Sequence, residues 1–313
     1  MQHKNQSKLM ELYLQGITDI SELQTPLFLV FLLIYLLTLT GNFLIIIIIC
    51  LDRHLYKPMY YFLCNLSFLD FSLASAIQPK FLSMLVTGIH SISFNGCITQ
   101  LYFFMFLTAA EFFLLTAMAY DRYVAICKPL QYHLLMNYKV CTLMAATCWA
   151  AGMIEPSAHA MAIAQLPLHT SQINHFYCDY SALLKISSVD TKRIEVMTYL
   201  AGVAVGMPAF SLTIASYVSI IATIVKIHSS QGRQKAFSTC VSHLTIVFLF
   251  YSTVLITIMR PTSKYSSTHG KLVSLLYTIL VPSINPFIYT LRNQDVKQSF
   301  YKASIKWHFP LSL

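Results

Sequence analysis

Seven apolar runs divide this chain of 313 residues, and each is close to the ~20 residues that a helix needs to cross a bilayer. They fall at about 27–50, 59–78, 98–120, 140–164, 196–225, 237–259 and 272–291. The second run ends at Pro79, which we take as the end of that span. The pattern predicts an all-α membrane protein, a bundle of seven transmembrane helices whose two termini face opposite sides of the membrane.

The composition and the placement of charge support a membrane protein. Hydrophobic residues make up 56% of the chain and charged residues 11%, against roughly 25% charged residues in ordinary globular proteins. The net charge is +9, but no basic block is flanked by aromatic residues, which argues against a nucleic-acid partner. With the N-terminus outside, twelve of the 21 Lys and Arg residues lie on the inner side. This bias places residues 1–26 outside the cell and residues 292–313 in the cytoplasm.

The two terminal segments carry different signals. The first 26 residues are mostly polar, so we expect the first span, rather than a cleaved signal peptide, to direct insertion. In the tail, one helical face carries apolar residues and Lys side chains surround it. The apolar residues are Val296, Phe300, Ala303 and Trp307. This pattern predicts a short amphipathic helix that lies on the anionic lipids of the inner leaflet.

Acidic residues inside apolar runs cost roughly 2.5–3.5 kcal/mol each on insertion scales, so each of them needs an explanation. Asp70 lies in the middle of the second span and Glu111 in the middle of the third. They form either a shared site for a cation or a proton, or two protonated carboxyls hydrogen-bonded to Ser, Asn or backbone. The sequence leaves both alternatives open. Glu155, beside Pro156, lines a pocket or reaches the outer interface.

The end of the third span carries the most specific motif. Residues 118–127 read MAYDRYVAIC, which resembles the signature of odorant receptors within the rhodopsin-like G-protein-coupled receptors. Further segments resemble the same family in the expected order, and the resemblance covers residues 41–297. Besides the first motif they are KPMYYFL at 57–63 with NLSFLD at 65–70, SY at 216–217, KAFSTC at 235–240 with SHL at 242–244, and PSINPFIY at 282–289 with LRN at 291–293.

The resemblance implies a conformational switch that couples to a G protein. Asp121 would hold Arg122 in the resting state and release it to meet the G protein. The alternative, an ion pair at the membrane interface without a switching role, would explain Arg122 but not the rest of the motif. Pro282 and Pro286 can kink the seventh helix, and Asn285 can hydrogen-bond toward Asp70. The expected switch residues are Asp121, Arg122, Tyr123, Tyr217, Asn285, Pro286 and Tyr289.

The segments expected outside the cell carry two covalent features. Cys97 and Cys178 are the natural disulfide partners, since both face an oxidising compartment. A second bridge that the family usually has within the long loop is missing, because its positions read His169 and Ser188. With Cys178 in a disulfide, the string at 175–179 is not expected to bind a metal, and no metal site or cofactor is predicted. Asn5 begins a sequon for N-glycosylation.

By resemblance, the ligand binds in the outer half of the bundle between the third, fifth, sixth and seventh helices. The lining is largely apolar with a few hydroxyl groups, which suits a small, weakly polar, volatile molecule. For each of these residues, plain helix packing is an equally good explanation. The predicted lining residues are Phe104, Met105, Thr108, Ala109, Gly202, Val205, Gly206, Tyr251, Val254, Leu255, Ile258, Leu275 and Thr278.

These motifs predict an odorant receptor in the plasma membrane, with residues 27–291 as the receptor domain. It would bind a small volatile molecule, activate a stimulatory, olfactory-type G protein and raise cyclic AMP. A receptor of the same family for a non-odorant metabolite is the alternative that the sequence leaves open. A transporter is disfavoured because no internal repeat is seen. An enzyme is disfavoured because no nucleophile–base pair or metal-ligand set lies at membrane depth.

Overall fold

The protein is described here by a computed structural model, which defines residues 11–18, 20–258, 267–292 and 295–301. The side chains of residues 232, 235, 236, 238, 239, 242, 254–258, 267–269 and 289–292 lie outside that description. The predicted glycosylation site at Asn5 and the tail residues Ala303 and Trp307 also lie outside the described residues.

The described residues form seven long helices, as the apolar runs predict. The seventh helix has three consecutive segments. Five of the seven helices are both long and apolar enough to cross a membrane, namely the first, second, third and fifth and the apolar part of the seventh. The helices are α1 (Ser21–Leu51), α2 (Pro58–Thr87), α3 (Phe94–Cys127), α4 (Tyr138–Ala164), α5 (Lys192–Val225), α6 (Ser230–Ile258) and α7 (Ser267–Leu275, Leu276–Leu280 and Val281–Arg292).

The prediction that the second span ends at Pro79 is wrong. α2 continues for two more turns beyond this proline and ends at Thr87. A membrane helix tolerates an internal proline when its surroundings satisfy the freed backbone groups. The helix ends instead at Gly88, whose φ of 65° gives the left-handed conformation that glycine adopts at no steric cost. The amide of Gly88 donates to the carbonyl of Met84 across 3.1 Å.

α3 lies at the centre of the bundle and contacts α2, α4, α5 and α6. α1 closes the bundle against α2 and α7, and polar contacts fix its position. The hydroxyls of Thr38 and Ser283 are 2.7 Å apart, and Asn42 Nδ2 donates to the carbonyl of Pro282 across 3.2 Å. An added Cβ on Gly41 would lie 3.1 Å from the Pro286 ring, so glycine permits this close approach of α1 to α7.

The middle segment of α7, Leu276–Leu280, is a π-helix. The two prolines that we expected to kink this helix follow it: Pro282 lies in the first turn of the next segment and Pro286 lies inside that segment. The proline ring at 282 would clash with the carbonyl four residues earlier in a regular α-helix. The wider π turn lies just where that clash would occur, so we attribute the irregularity of α7 to Pro282.

A three-stranded sheet, which was not predicted from the sequence, covers one end of the bundle. β1 (Glu11–Leu14) is its central strand, β2 (Ser91–Ser93) pairs with it antiparallel, and β3 (Gln172–Ile173) pairs with it in parallel. Leu12 and Leu14 are buried while their neighbours are exposed, as the alternation of a half-buried strand requires. The segment before α1 therefore has a structural role.

The predicted disulfide is confirmed, because Cys97 and Cys178 are bonded and join α3 to the loop between α4 and α5. We call this end of the bundle the disulfide end, and the opposite end the Arg122 end. Where the second bridge is missing, hydrogen bonds hold the loop. His169 N donates to the Ile186 carbonyl across 2.9 Å, and Ser188 N donates to the Pro167 carbonyl across 2.8 Å.

Replacing Cys97 and Cys178 together with Ser is expected to destabilise the protein by about 4–5 kcal/mol on the chain-entropy account of a long closed loop. The bonded residues are separated by 81 positions, and thermal unfolding of the purified protein measures the loss. Cys50→Ser is the matched control, since Cys50 is a free, exposed cysteine. A double variant as stable as the control would contradict the prediction.

At the Arg122 end, helical residues 295–301 pack against the connection between α1 and α2. Lys57 Nζ and the Tyr60 hydroxyl each lie 3.0 Å from Asp295 Oδ2. The Ser299 hydroxyl donates to Asp52 across 2.5 Å. This bond and one from the His54 amide lower the pKa of Asp52 to about 2. These contacts support the amphipathic tail helix, whose Val296 is buried and whose Phe300 is exposed.

Candidate functional site

The Asp-Arg-Tyr motif lies in the last turns of α3, at the Arg122 end. Arg122 folds back on its neighbour: Nε donates to Asp121 Oδ2 across 2.9 Å, and Nη2 forms an ion pair with the same oxygen. The other carboxylate oxygen accepts a hydrogen bond of 2.8 Å from the Tyr132 hydroxyl. Asp121 is fully buried and the Arg122 side chain is 11% exposed, so the guanidinium is held inside the bundle.

A second polar pair lies close to Arg122 and joins α5 to α6. The Tyr217 hydroxyl is hydrogen-bonded to His243 Nδ1, and the two rings are stacked. His243 is fully buried, and its Nε2 has no hydrogen-bond partner among the described residues. His243 lies in the SHL motif at 242–244, and no role was predicted for it. Its position in the apolar α6 is the signal that could have identified it. The side chain of Tyr289 lies outside the described residues.

The two intramembrane acids lie deeper in the bundle. Asn285 Nδ2 lies 2.9 Å and 3.2 Å from the two carboxylate oxygens of Asp70, which shows the contact expected between α2 and α7. Glu111 is 2% exposed, and its Oε1 has no hydrogen-bond partner in the described part of the chain. The same part contains no group of three or more metal-binding side chains. That Asp70 and Glu111 hold a cation stays a prediction.

Three hydroxyl groups meet where α3, α5 and α6 approach one another. The Tyr251 hydroxyl lies 3.0 Å from Thr116 Oγ1 and 3.3 Å from Thr213 Oγ1. The two threonine oxygens are themselves 3.3 Å apart. Tyr251 was predicted to line the ligand pocket, and its hydroxyl is already engaged in this cluster. A movement of α6 that displaces Tyr251 would break both hydrogen bonds, so the cluster can transmit motion among three helices.

In the disulfide half of the bundle, aromatic rings from α3, α7 and the long loop meet. The ring of Phe104 lies 5.1 Å from that of Tyr177 and 5.3 Å from that of Tyr277. The Tyr277 phenol also interacts with the hydroxyl of Tyr177. Tyr277 was not among the predicted lining residues, because these were projected from regular α-helices and Tyr277 lies in the π segment.

The other predicted lining residues differ in exposure. Tyr251 and Thr278 are buried, and Thr278 Oγ1 donates to the Ser274 carbonyl across 2.7 Å. Val205 is 37% exposed. Half-buried positions are Met105, Thr108, Ala109, Gly202, Gly206 and Leu275. The side chains of Val254, Leu255 and Ile258 lie outside the described residues. The ligand contacts of the whole set stay a prediction.

Glu155 takes part in a polar chain at the disulfide end rather than standing alone. Its carboxylate lies 3.5 Å from His159 Nε2, and His159 Nδ1 lies 3.0 Å from the Thr198 hydroxyl. The Tyr180 hydroxyl donates to Thr198 across 2.7 Å. The chain connects α4, α5 and the short loop helix Tyr180–Lys185.

The loop residue His175 is fully buried, and neither ring nitrogen has a hydrogen-bond partner among the described residues. Its ring stacks on Phe176 at 4.8 Å and meets Tyr177 edge-on at 4.5 Å. Burial and, to a smaller extent, Lys271 lower the pKa of His175 to about 4, although Asp179 opposes the shift. The imidazole is therefore neutral at physiological pH.

We expect the free energy of unfolding to fall as the pH drops from about 6.5 toward 4, because the unfolded chain binds a proton there that the folded chain rejects. The full difference corresponds to about 3 kcal/mol. Thermal unfolding of the wild type and of His175→Phe across this pH range measures it. The variant should be less sensitive to pH, and equal slopes for the two proteins would refute the account.

Comparison with known proteins adds an independent observation. Residues 31–306 match the family model described as "Olfactory receptor". The human "Olfactory receptor 8H1" is 43% identical over 304 residues, which cover 97% of each chain. The human "Olfactory receptor 6Y1" is 47% identical over 281 residues, 90% of this chain and 86% of the relative. The mouse "Olfactory receptor 5G29" is 42% identical over 311 residues, 99% of each chain.

Proposed function

This chain belongs to the olfactory receptor family and is an odorant receptor, and on that basis we propose that it activates a stimulatory, olfactory-type G protein. In this proposal a small volatile molecule binds in the disulfide half of the bundle. Binding then releases Arg122 at the opposite end, and the activated G protein raises cyclic AMP. The protein is a signalling receptor and not an enzyme.

The buried contact among Asp121, Arg122 and Tyr132 is the observation that supports this proposal most directly. A guanidinium held by a carboxylate of the same helix can be released without unfolding the bundle. Tyr217 and His243 lie close to it on α5 and α6, so movement of either helix alters its surroundings. A ligand that favours the arrangement with free Arg122 would therefore shift the receptor between two states.

The hydroxyl cluster connects the proposed ligand site with the proposed switch. Tyr251 belongs to the predicted lining, and its hydrogen bonds reach α3 through Thr116 and α5 through Thr213. A ligand that displaces the Tyr251 ring would break these bonds and let α6 move relative to α3. We propose this route for the coupling between the two ends of the receptor.

The chain is a multi-pass membrane protein, and we propose that it lies in the plasma membrane with the disulfide end outside the cell. The disulfide fits an oxidising exterior. The opposite end carries Arg53, Lys57, Lys128 and Lys139, as the positive-inside rule requires of a cytoplasmic face. On this orientation residues 1–26 are extracellular, 27–291 form the receptor domain and 292–313 form the cytoplasmic tail.

A screen of volatile molecules against transfected cells, with cyclic AMP as the readout, tests the function. We expect at least one odorant to raise cyclic AMP in cells that display the receptor and to leave mock-transfected cells unchanged. Surface labelling confirms that the receptor reaches the plasma membrane. A receptor at the cell surface that responds to no member of a chemically broad panel would overturn the proposal.

A further inference from the structure

Gln78 is a buried polar residue that neither the fold nor the proposed switch explains. Its side chain in α2 is fully buried, and among the described residues neither the amide oxygen nor the amide nitrogen has a hydrogen-bond partner. Leaving a buried donor and a buried acceptor unpaired is costly, so native structures provide partners for nearly all of them. The unpaired amide of Gln78 therefore calls for a partner.

Gln100 shows how this protein treats a buried amide with a structural role. Its Nε2 donates to the Ala76 carbonyl on α2 across 3.0 Å. Its Oε1 accepts from the amide of Cys178 across 3.0 Å, next to the disulfide. Both ends of that side chain are used to fix helices and loop. Gln78 lies two positions from Ala76 on the same helix and makes neither kind of contact.

The contact between Asp70 and Asn285 fixes the level of Gln78 in the bundle. Gln78 lies eight residues from Asp70 along α2, about 12 Å toward the disulfide end. Tyr277 lies eight residues from Asn285 along α7 in the same direction. α2 packs against the π segment Leu276–Leu280, which contains Tyr277. Gln78 and Tyr277 therefore both lie in the disulfide half, on two helices that pack against each other there.

The surroundings at this depth are aromatic with a few hydroxyl groups. One turn above Gln78, the ring of Phe81 lies 5.2 Å from Phe176 of the long loop. Across the bundle, the ring of Phe104 lies 5.3 Å from that of Tyr277, whose phenol interacts with Tyr177. An apolar lining with few convergent polar groups is the usual make-up of a site for a small molecule.

We propose that the Gln78 amide is the hydrogen-bonding subsite of the ligand pocket and selects small, neutral alcohols. A hydroxyl group both donates and accepts, so it pairs the amide oxygen and the amide nitrogen together. An aldehyde or an ether can pair only the nitrogen, and an alkane pairs neither. An anionic ligand is disfavoured because Lys80, the lysine of the same helix, already donates its Nζ to the carbonyls of Ile89 and Ser91.

The inference rests on the proposed function, since it names the ligand class for the same pocket. Ligand-induced thermal stabilisation of the purified receptor gives affinities without any need for signalling. The probes are an alcohol, an aldehyde and an alkane of matched chain length. We expect the wild type to bind the alcohol most tightly. Gln78→Met should weaken alcohol binding by about 5- to 150-fold and leave alkane binding unchanged or stronger.

Gln100→Met is the control for a structural amide. Without ligand it should lower the melting temperature, because it leaves the Ala76 carbonyl and the Cys178 amide unpaired, whereas Gln78→Met should not. The inference is overturned if Gln78→Met keeps the preference for alcohol, if the wild type shows none, or if Gln78→Met destabilises the ligand-free receptor as Gln100→Met does. If the receptor binds the alcohol but cyclic AMP does not rise, the proposed coupling to the G protein is overturned and the inference about Gln78 stands. If odorants raise cyclic AMP without any preference for a hydroxyl group, the coupling stands and the inference about Gln78 is overturned.

Discussion

Replacing Arg122 with Ala should abolish odorant-driven cyclic AMP while the receptor still reaches the cell surface. The guanidinium is the group that we propose to leave Asp121 and meet the G protein, and Ala has nothing to offer in its place. The fold should survive, because Asp121 keeps its hydrogen bond from the Tyr132 hydroxyl. The measurement is the maximal cyclic AMP response, normalised to surface labelling.

Two matched variants separate the switch from a general loss of structure. Asp121→Asn removes the charge that holds Arg122 and keeps an acceptor for Tyr132, so we expect a higher cyclic AMP level without odorant. Tyr132→Phe removes a single hydrogen bond to the same carboxylate, and its effect should have the same direction and be smaller. Arg122→Ala, which should abolish the response, and Asp121→Asn, which should raise the basal level, are therefore expected to change signalling in opposite directions.

A full response in Arg122→Ala at normal surface density would exclude the proposed coupling. So would a low basal level in Asp121→Asn, because the resting contact would then not restrain the receptor. Ligand-induced thermal stabilisation checks that Arg122→Ala still binds the odorant. Lost binding would show that the substitution had altered the disulfide half, where Arg122 makes no contact.

The features that the sequence predicted well are those with a local or pairwise cause. An apolar run of bilayer length forms a helix irrespective of its tertiary contacts, since its backbone N–H and C=O groups must find hydrogen-bond partners within the segment when they lie in lipid. Cys97 and Cys178 had few competing partners at the outer end, and their bond is present. The contact from Asn285 to Asp70 followed because buried polar groups in a bilayer pair with one another.

The features that it missed depend on tertiary contacts. β1 becomes a strand only because the β2 and β3 segments bring their backbone groups beside it, and four residues alone give too short a pattern. Helix α2 continues through Pro79, because a membrane helix tolerates a proline when its surroundings satisfy the freed backbone group. Tyr277 turns inward through a π segment, and one extra residue per turn cannot be read from a pattern of period 3.6.

The lining of the ligand pocket shows the same limit in a different way. Projecting regular helices did not show how individual side chains are used. Val205 turned out to be 37% exposed, and the hydroxyl of Tyr251 is already bound to two threonines. Whether a side chain is free for a ligand depends on its neighbours on other helices, which a single helical projection does not contain.

Replacing Gly152 with Ala should destabilise the receptor strongly, although the change adds only one methyl group. Gly152 lies in α4 where this helix meets α3. A Cβ at this position would lie 2.7 Å from Ala110 Cβ, 2.7 Å from its backbone nitrogen and 2.8 Å from its Cα. Because two of these atoms belong to the backbone, no side-chain rotation relieves the overlap. The two helices must separate, and we expect a loss of about 3 kcal/mol.

Gly202→Ala is the matched control, since it adds the same methyl group to a glycine inside another membrane helix. A Cβ on Gly202 meets no described atom within 4 Å, so this variant should be neutral or gain about 0.5–1 kcal/mol from the better helix former. Melting temperature and surface expression of the two variants give the comparison. Adding Ala110→Gly to Gly152→Ala should rescue little, because the nitrogen and Cα of residue 110 remain in place. Full rescue by that second change, or equal stability of the two single variants, would show that α3 and α4 are not held at this distance by the glycine.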